Sequence, residues 1–111
     1  MENQTVRLFF DAFGDINRFN ILLLLLKKPL NVSSIAKLTA LEQSNVSHHM
    51  KCLTNCGFVN VKKVGKEHTY SIEPAAARMV EGVVSHMGRY EEHLHTCGII
   101  AKRGRSNRYT K

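Results

Sequence analysis

The stretch SNVSHHMKCLTNCGFVNVKKVGKEHTYSI, residues 44–72, decides the fold of this chain. Its first part, residues 44–56, shows apolar side chains at helical spacing. Ser44 is a common first residue of a helix, and Gly57 is the usual residue just past the end of one. The helix has a narrow apolar face that predicts contact with a core, formed by Val46, Met50 and Leu53.

The second part of this stretch predicts a β-hairpin. Residues 58–64 and 68–72 are rich in Val, Tyr and Ile, which are typical of strands. Gly65 and Lys66 lie between the two and suit a tight turn. A half-buried helix that leads directly into a hairpin is the arrangement of a recognition helix and its wing.

The residues before this stretch predict three more helices. Apolar residues at helical spacing indicate a first helix over residues 6–13 and a second that Asp15 caps and Pro29 stops. Asn31 or Ser33 caps the third. Its predicted buried side is formed by Ile35, Ala36 and Leu38. Two short helices joined by a tight turn give the helix-turn-helix pattern.

After the hairpin, Pro74 starts a last long helix that reaches about Cys97. The order predicts a mainly α fold with a β-hairpin, a winged helix-turn-helix over residues 1–97, followed by a basic, mobile tail at 98–111. The first and last helices carry more apolar surface than a small core can use. They either pack within the chain or, as we expect, form a homodimer interface, because readers of palindromic DNA need a two-fold partner.

The charge balance indicates a polyanionic partner. Sixteen Lys and Arg against nine Asp and Glu give a formal net charge of +7. Nucleic acid is favoured over an anionic membrane because the basic residues are spread over several segments. The N-terminus lacks a signal-peptide pattern, and no apolar run approaches the length of a membrane span. We therefore expect a cytoplasmic protein without a membrane partner.

Two sets of polar side chains are the candidate DNA contacts. On the polar face of the helix, base edges and phosphates would meet Ser44, Asn45, Ser47, His48 and Lys51. On the hairpin, phosphates or the minor groove would meet Lys62, Lys63 and Lys66. Either set alone could be an ordinary solvated surface. The hairpin and the positive charge together favour DNA.

Residues 44–72 resemble the core signature of the ArsR/SmtB family of metal-responsive repressors, and the likeness in layout extends from about residue 5 to residue 97. The resemblance implies a dimeric winged helix that binds duplex operator DNA and leaves it when a metal or another inducer binds. The sequence contains no nucleophile–base–acid set and no phosphate-cradling loop, so neither an enzyme nor an organic cofactor is expected.

Three cysteines form the second candidate site. Cys52 and Cys56 are one helical turn apart, so their thiols can share one ion, and Cys97 is the remaining thiol. A pair with this spacing could instead be core filler. Metal ligation requires deprotonated thiols, which the local excess of lysine is expected to favour.

Within the family, these three cysteines are similar in position to those of the cadmium- and lead-sensing CmtR branch. The segment NVSSIAKL carries no cysteine and the last helix lacks an Asp-x-His pair, which other branches use. This resemblance implies Cd²⁺ or Pb²⁺ as the inducer, and three thiolates also suit Hg²⁺ or As(III). Zn²⁺ needs a fourth ligand, which His93 or His95 could supply unless they are simply exposed.

Two alternatives to a metal-responsive repressor stay open at this point. The same fold could respond to thiol oxidation or persulfide formation, and a response that a chelator leaves intact but a reductant removes would identify it. The chain could also be a winged-helix module for protein interaction that binds neither metal nor DNA. The net charge of +7 gives that alternative little support.

Overall fold

The computed structural model describes residues 1–98 and shows a winged helix-turn-helix. The predicted tail from residue 99 onward lies outside the described residues. The elements follow in the order α1 (Asn3–Phe13), α2 (Ile16–Leu25), β1 (Leu30–Asn31), α3 (Val32–Thr39), α4 (Gln43–Asn55), β2 (Val59–Val64), β3 (Glu67–Ile72) and α5 (Pro74–Thr96). The predicted order of four helices, a hairpin and a final helix is confirmed.

The helix boundaries follow from local hydrogen bonds. The Asp15 carboxylate accepts from the Arg18 backbone N–H at 3.0 Å, and the Asn31 side chain accepts from Ser34 N–H at 2.8 Å. Asn31, rather than Ser33, is therefore the cap of α3. The predicted start of α4 at Ser44 is one residue late, because the helix begins at Gln43. The preceding residue, Glu42, makes no side-chain capping bond.

The sheet has three antiparallel strands in the order β1-β3-β2. The hairpin pairs Val59 with Ile72 at its base and Val64 with Glu67 at its tip, and Gly65 takes a φ of +64° in the turn. The sequence did not predict β1, whose Leu30 pairs with Tyr70 of β3. A strand of two residues is too short to show the alternation of apolar and polar side chains, so it can be recognised only from its pairing with β3.

The chain divides into two compact units, of which the first is Met1–Val80. Its centre is fully buried and aliphatic, made of Ile21, Leu22, Ile35, Val46, Met50, Leu53 and Val80. Aromatic rings add to one side, where Phe13 packs against Phe19 and Phe58 with ring centroids 5.6 Å apart. The recognition helix thus contributes three of its residues to the centre of the core.

The predicted burial of Leu38 is wrong, because this side chain is 61% exposed. The buried arc of α3 is centred between Ile35 and Ala36, and at 100° per residue Leu38 lies about 110° away from that centre. Its side chain instead lines an open cleft beside Leu23 and Leu24 of α2.

Apolar side chains that the core does not use lie on both terminal helices. In the first unit, α1 exposes Val6, Leu8 and Phe10. In the second unit, which starts at Glu81, α5 exposes Val84, Met87, Tyr90 and Leu94. The φ of −119° at Tyr90 interrupts the regular turns of α5 there. Within residues 1–98, no helix combines the length and the apolar character that crossing a membrane requires.

Candidate DNA interface and thiol pair

Helix α4 separates its side chains into two faces, as predicted. Val46, Met50 and Leu53 have no measurable exposure and hold the helix against the core. The proposed DNA-contacting residues of the opposite face are all exposed: Ser44, Asn45, Ser47, His48 and Lys51. Gly57 ends the helix with a φ of +83°, a conformation that glycine adopts without strain. The polar face is therefore presented to solvent by a firmly anchored helix.

The hairpin carries the three predicted lysines on exposed positions, Lys62, Lys63 and Lys66. Strand pairing sets Lys62 opposite Thr69 and Lys63 opposite His68. Within the part of the chain that the structure describes, no carboxylate forms an ion pair with these lysines. Their charges are consequently available to an external anion.

An open cleft of about 250 Å³ lies between α4 and the hairpin. Its lining includes the predicted Ser47 and Lys51, together with Thr54, Asn55, Val61, His68 and Tyr70. These last five residues were missed by the sequence analysis. Alternation along β3 would have placed His68 and Tyr70 on one face of the strand, which is the signal that could have found them. The cleft offers hydroxyl, amide, imidazole and ammonium groups, a donor set that suits phosphate oxygens.

The sequence analysis also missed Arg18. In the structure its side chain makes more hydrogen bonds than that of any other described residue of α2. It contacts the end of α1 and His49 of α4, and its Nη2 lies 4.0 Å from the Asp15 carboxylate. Burial acts to raise the pKa of Asp15, but the backbone N–H and charge of Arg18 outweigh it and lower that pKa. For His49, burial is the main cause of a lowered pKa, which Asp15 opposes. His49 is therefore a neutral imidazole near neutral pH.

The thiols of Cys52 and Cys56 lie one helical turn apart at the end of α4, close enough for Cys52 to act on the pKa of Cys56. Cys52 is half-buried and Cys56 is exposed, so the pair is accessible rather than core filler. Burial and the neighbouring Cys52 raise the pKa of Cys56, and Arg18 opposes them. The expectation that lysines would favour the thiolate is wrong for Cys56, because the cation that acts on it is this arginine and the net shift is upward. A soft metal ion would have to displace protons from the pair.

Cys97 lies just after α5, in the second unit, where it is half-buried and its backbone N–H donates to the Leu94 carbonyl at 3.4 Å. His93 and His95 are exposed, and His95 lies 4.0 Å from Glu91. Among residues 1–98 of one chain, no three His, Cys, Asp or Glu residues come together to hold a metal ion. Within the described part of a single protomer, Cys52 and Cys56 are the two predicted ligands that lie close together.

A helix-turn-helix followed by a wing, with a polar and exposed recognition face, is the architecture of winged-helix DNA-binding domains. The family model for bacterial regulatory proteins of the arsR family matches residues 15–61. A probable mercury resistance operon repressor from Streptomyces lividans is 31% identical over 77 residues, which are 68% of this chain and 62% of that protein. The transcriptional regulator NmtR of Mycobacterium tuberculosis is 34% identical over 85 residues, 76% of this chain and 68% of that protein.

Solved structures show the same architecture. The homodimeric winged helix-turn-helix DNA-binding domain of a possible ArsR-family regulator from Mycobacterium bovis has a TM-score of 0.74 at 26% identity, covering 86% of this chain and 88% of that one. HlyU from Vibrio cholerae has a TM-score of 0.65 at 27% identity, covering 75% and 94%.

This chain belongs to the arsR family of bacterial regulatory proteins. The relatives are regulators and not enzymes, as the sequence predicted. The chain spans 62% of the length of the Streptomyces lividans repressor.

Proposed function

We propose that the protein is a transcriptional repressor that binds duplex operator DNA through α4 and the hairpin. The observation that carries this proposal is the exposed polar face of α4 beside a cleft and three lysines that pair with no carboxylate of residues 1–98. Ser44, Asn45, Ser47 and His48 would meet base edges, and Lys51 would reach phosphates from the same face. Lys62, Lys63 and Lys66 would bind the neighbouring backbone, with His68 and Tyr70 lining the cleft between.

The repressor acts as a homodimer on a palindromic site. The exposed apolar residues of α1 and α5 supply surfaces for a partner, and the Mycobacterium bovis domain is described as homodimeric. A two-fold dimer presents two recognition helices to two half-sites, so protein symmetry and operator symmetry match. An apolar interface also makes DNA binding depend on protomer concentration.

The inducer is a soft metal ion bound by Cys52 and Cys56 of one protomer and Cys97 of the partner subunit. The two thiols at the end of α4 are adjacent and accessible. A third ligand from the other protomer would link metal binding to dimer geometry. When bound, such an ion would supply a crosslink between thiolates of the recognition helix and the dimer helix.

Cd²⁺ and Pb²⁺ are the proposed inducers, together with Hg²⁺ and As(III), because each accepts three thiolates. The description of the Streptomyces lividans relative as a mercury resistance operon repressor supports Hg²⁺ as a member of this set. Zn²⁺ would require His93 or His95 as a fourth ligand.

One experiment tests the metal response. Duplexes that the reduced apo protein selects from a random-sequence library would be titrated with protein, with and without each of these ions. At least one soft ion should weaken binding by about 5- to 150-fold, corresponding to a coupling of about 1–3 kcal/mol. If no ion changes the affinity while the reduced protein still binds DNA, metal sensing is excluded.

Thiol oxidation is a second candidate inducing signal, favoured by the proximity of the accessible Cys52 and Cys56 thiols. Two adjacent thiols can form a disulfide when an oxidant accepts their two electrons and two protons. Release of DNA under oxidant, in the presence of chelator and reversed by reductant, would support this signal over metal.

A further inference from the structure

Arg18 holds the end of α1 from the first turn of α2, with 15% of its side chain exposed. Its Nε donates to the Ala12 carbonyl at 2.9 Å, and its Nη2 donates to the Asp11 carbonyl at 3.2 Å. Both carbonyls lie in the last turn of α1, where a helix leaves C=O groups without intrahelical partners and favours a cation. The guanidinium therefore caps a helix to which it does not belong.

The same guanidinium reaches the recognition helix. Its Nη1 lies 3.3 Å from Nδ1 of His49, a half-buried residue of α4. Arginine has no acceptor, so Nη1 donates and Nδ1 accepts, which places the imidazole proton on Nε2. His49 directly follows His48, one of the proposed DNA contacts. One planar group thus joins the end of α1 to the middle of α4.

The thiol pair lies on the same helix as His49. Cys52 follows His49 by three residues, so the two positions are neighbours on one side of α4, and the charge of Arg18 also acts on Cys56. The donors of a guanidinium have fixed directions, so its bonds to α1 and to His49 cannot both persist if the end of α4 shifts relative to α1. Coupling between a ligand site and a DNA-binding face requires a structural element whose contacts differ between two conformations of the protein, and the guanidinium contacts meet this requirement.

We propose that Arg18 is a positioning residue that couples the Cys52–Cys56 pair to the DNA-reading face of α4, through its simultaneous hold on the α1 carbonyls and His49. This coupling rests on the proposed metal response. Helix α1 also bears the exposed Val6, Leu8 and Phe10, so the link reaches the proposed dimer surface. A change at the thiol pair would then alter the orientation of α4 within the dimer, without Arg18 touching DNA.

Two matched pairs of variants test this role. Arg18→Lys keeps the positive charge but loses the planar fork, and Arg78→Lys makes the same replacement at an exposed position of α5. His49→Leu removes the acceptor, whereas His49→Asn keeps an oxygen near the position of Nδ1. Each protein would be titrated with the selected duplex, with and without Cd²⁺, and thiolate-to-metal absorption would report the bound ion.

The expected result is a smaller effect of Cd²⁺ on DNA affinity in two of the four variants. The Cd²⁺-induced change in Kd should be at least about fivefold smaller in Arg18→Lys than in Arg78→Lys. The same difference is expected between His49→Leu and His49→Asn. The thiolate-to-metal absorption per protomer should be unchanged in all four variants. Equal changes within both pairs would overturn the proposal. If Arg18→Lys does not fold, the His49 pair decides.

A second measurement uses the wild-type protein without DNA. Nitrogen-15 resonances of the imidazoles would be recorded while Cd²⁺ alone is added. The His49 signals should shift on metal binding, and more than those of His68 on the hairpin. Unchanged His49 signals in a protein that binds Cd²⁺ and releases DNA would remove Arg18 from the coupling route. A wild-type protein that keeps its DNA in Cd²⁺ would instead contradict the proposed metal response itself.

Discussion

The two faces of α4 differ in what they contact, and this difference separates stability from recognition. Val46, Met50 and Leu53 are fully buried, whereas Ser47, on the opposite face, is exposed and lines the cleft. Substitutions on the first face should change the free energy of unfolding, and those on the second should change DNA affinity alone. The thiol pair occupies the end of this helix, where a bound ion could influence the recognition face without covering it.

Met50→Ala should have the largest effect on the buried face. Removing a fully buried side chain of this size costs about 2–5 kcal/mol of unfolding free energy, because transfer free energy is lost and a cavity remains. Ser47→Ala is the matched control on the exposed face and should change stability by less than about 0.5 kcal/mol. Denaturant unfolding of both variants measures the difference. Comparable losses would show that the two faces are not separable.

A mixed dimer tests whether the end of α4 is joined to the other protomer. One subunit carries Cys97→Ser, and the other carries Cys52→Ser and Cys56→Ser. A site shared between chains leaves one complete set of three thiols, so about one tightly bound Cd²⁺ per mixed dimer is expected. A site within each chain leaves no complete set. Loss of all tight binding, measured by thiolate-to-metal absorption, would therefore exclude the shared site.

The wing lysines should affect DNA affinity without affecting stability. Replacing Lys62 and Lys63 with Ala should weaken binding to all duplexes alike, because phosphate contacts carry no sequence information. If both lysines contact phosphates, the slope of log K against log salt should become shallower by about 0.9 for each. Titrations at several salt concentrations, on selected and scrambled duplexes, provide both quantities. An unchanged slope would place the wing away from the backbone.

The smallest expected effect is a pH dependence of stability at His49. Burial, with the charges of Arg18 and His48, lowers the pKa of His49 against the opposing effect of Asp15. The folded state therefore prefers the neutral imidazole, so stability is fully present above the unfolded pKa of about 6.5 and decreases as pH falls below it. His49→Asn keeps an acceptor for Arg18 but cannot titrate. Denaturant unfolding between about pH 8 and pH 5 should show a larger loss in the wild type, and parallel curves would contradict this assignment.

Local signals in the sequence predicted most of the fold. Asp15, Asn31, Gly57 and Gly65 act through their own neighbours, and the structure shows the caps and turns that they imply. The two-residue β1 has no such signal, since its pairing with β3 comes from residues about 40 positions away. The error at Leu38 arose because an apolar residue near a buried stripe was counted as part of it.

The candidate site was predicted less completely, because part of it depends on distant contacts. The exposed face of α4 and the adjacent thiols followed from helical geometry. Arg18 and His49 are 31 positions apart, and no spacing rule relates them. The direction of the pKa shift of Cys56 was predicted wrongly for the same reason. Lysines are near Cys56 in the sequence, but in the fold its pKa is set by burial, by Cys52 and by Arg18.

The position of β2 at the open side of the sheet gives its lysines a further consequence. Among residues 1–98, the strand order β1-β3-β2 leaves one row of β2 backbone N–H and C=O groups without a neighbouring strand. Such a row can template pairing with another chain, and charged side chains discourage that pairing. Lys62 and Lys63 are exposed on this strand, so they would repel a second hairpin that approached edge to edge. Neutralising both should therefore promote aggregation in DNA-free protein at low salt, a cost separate from any loss of operator binding.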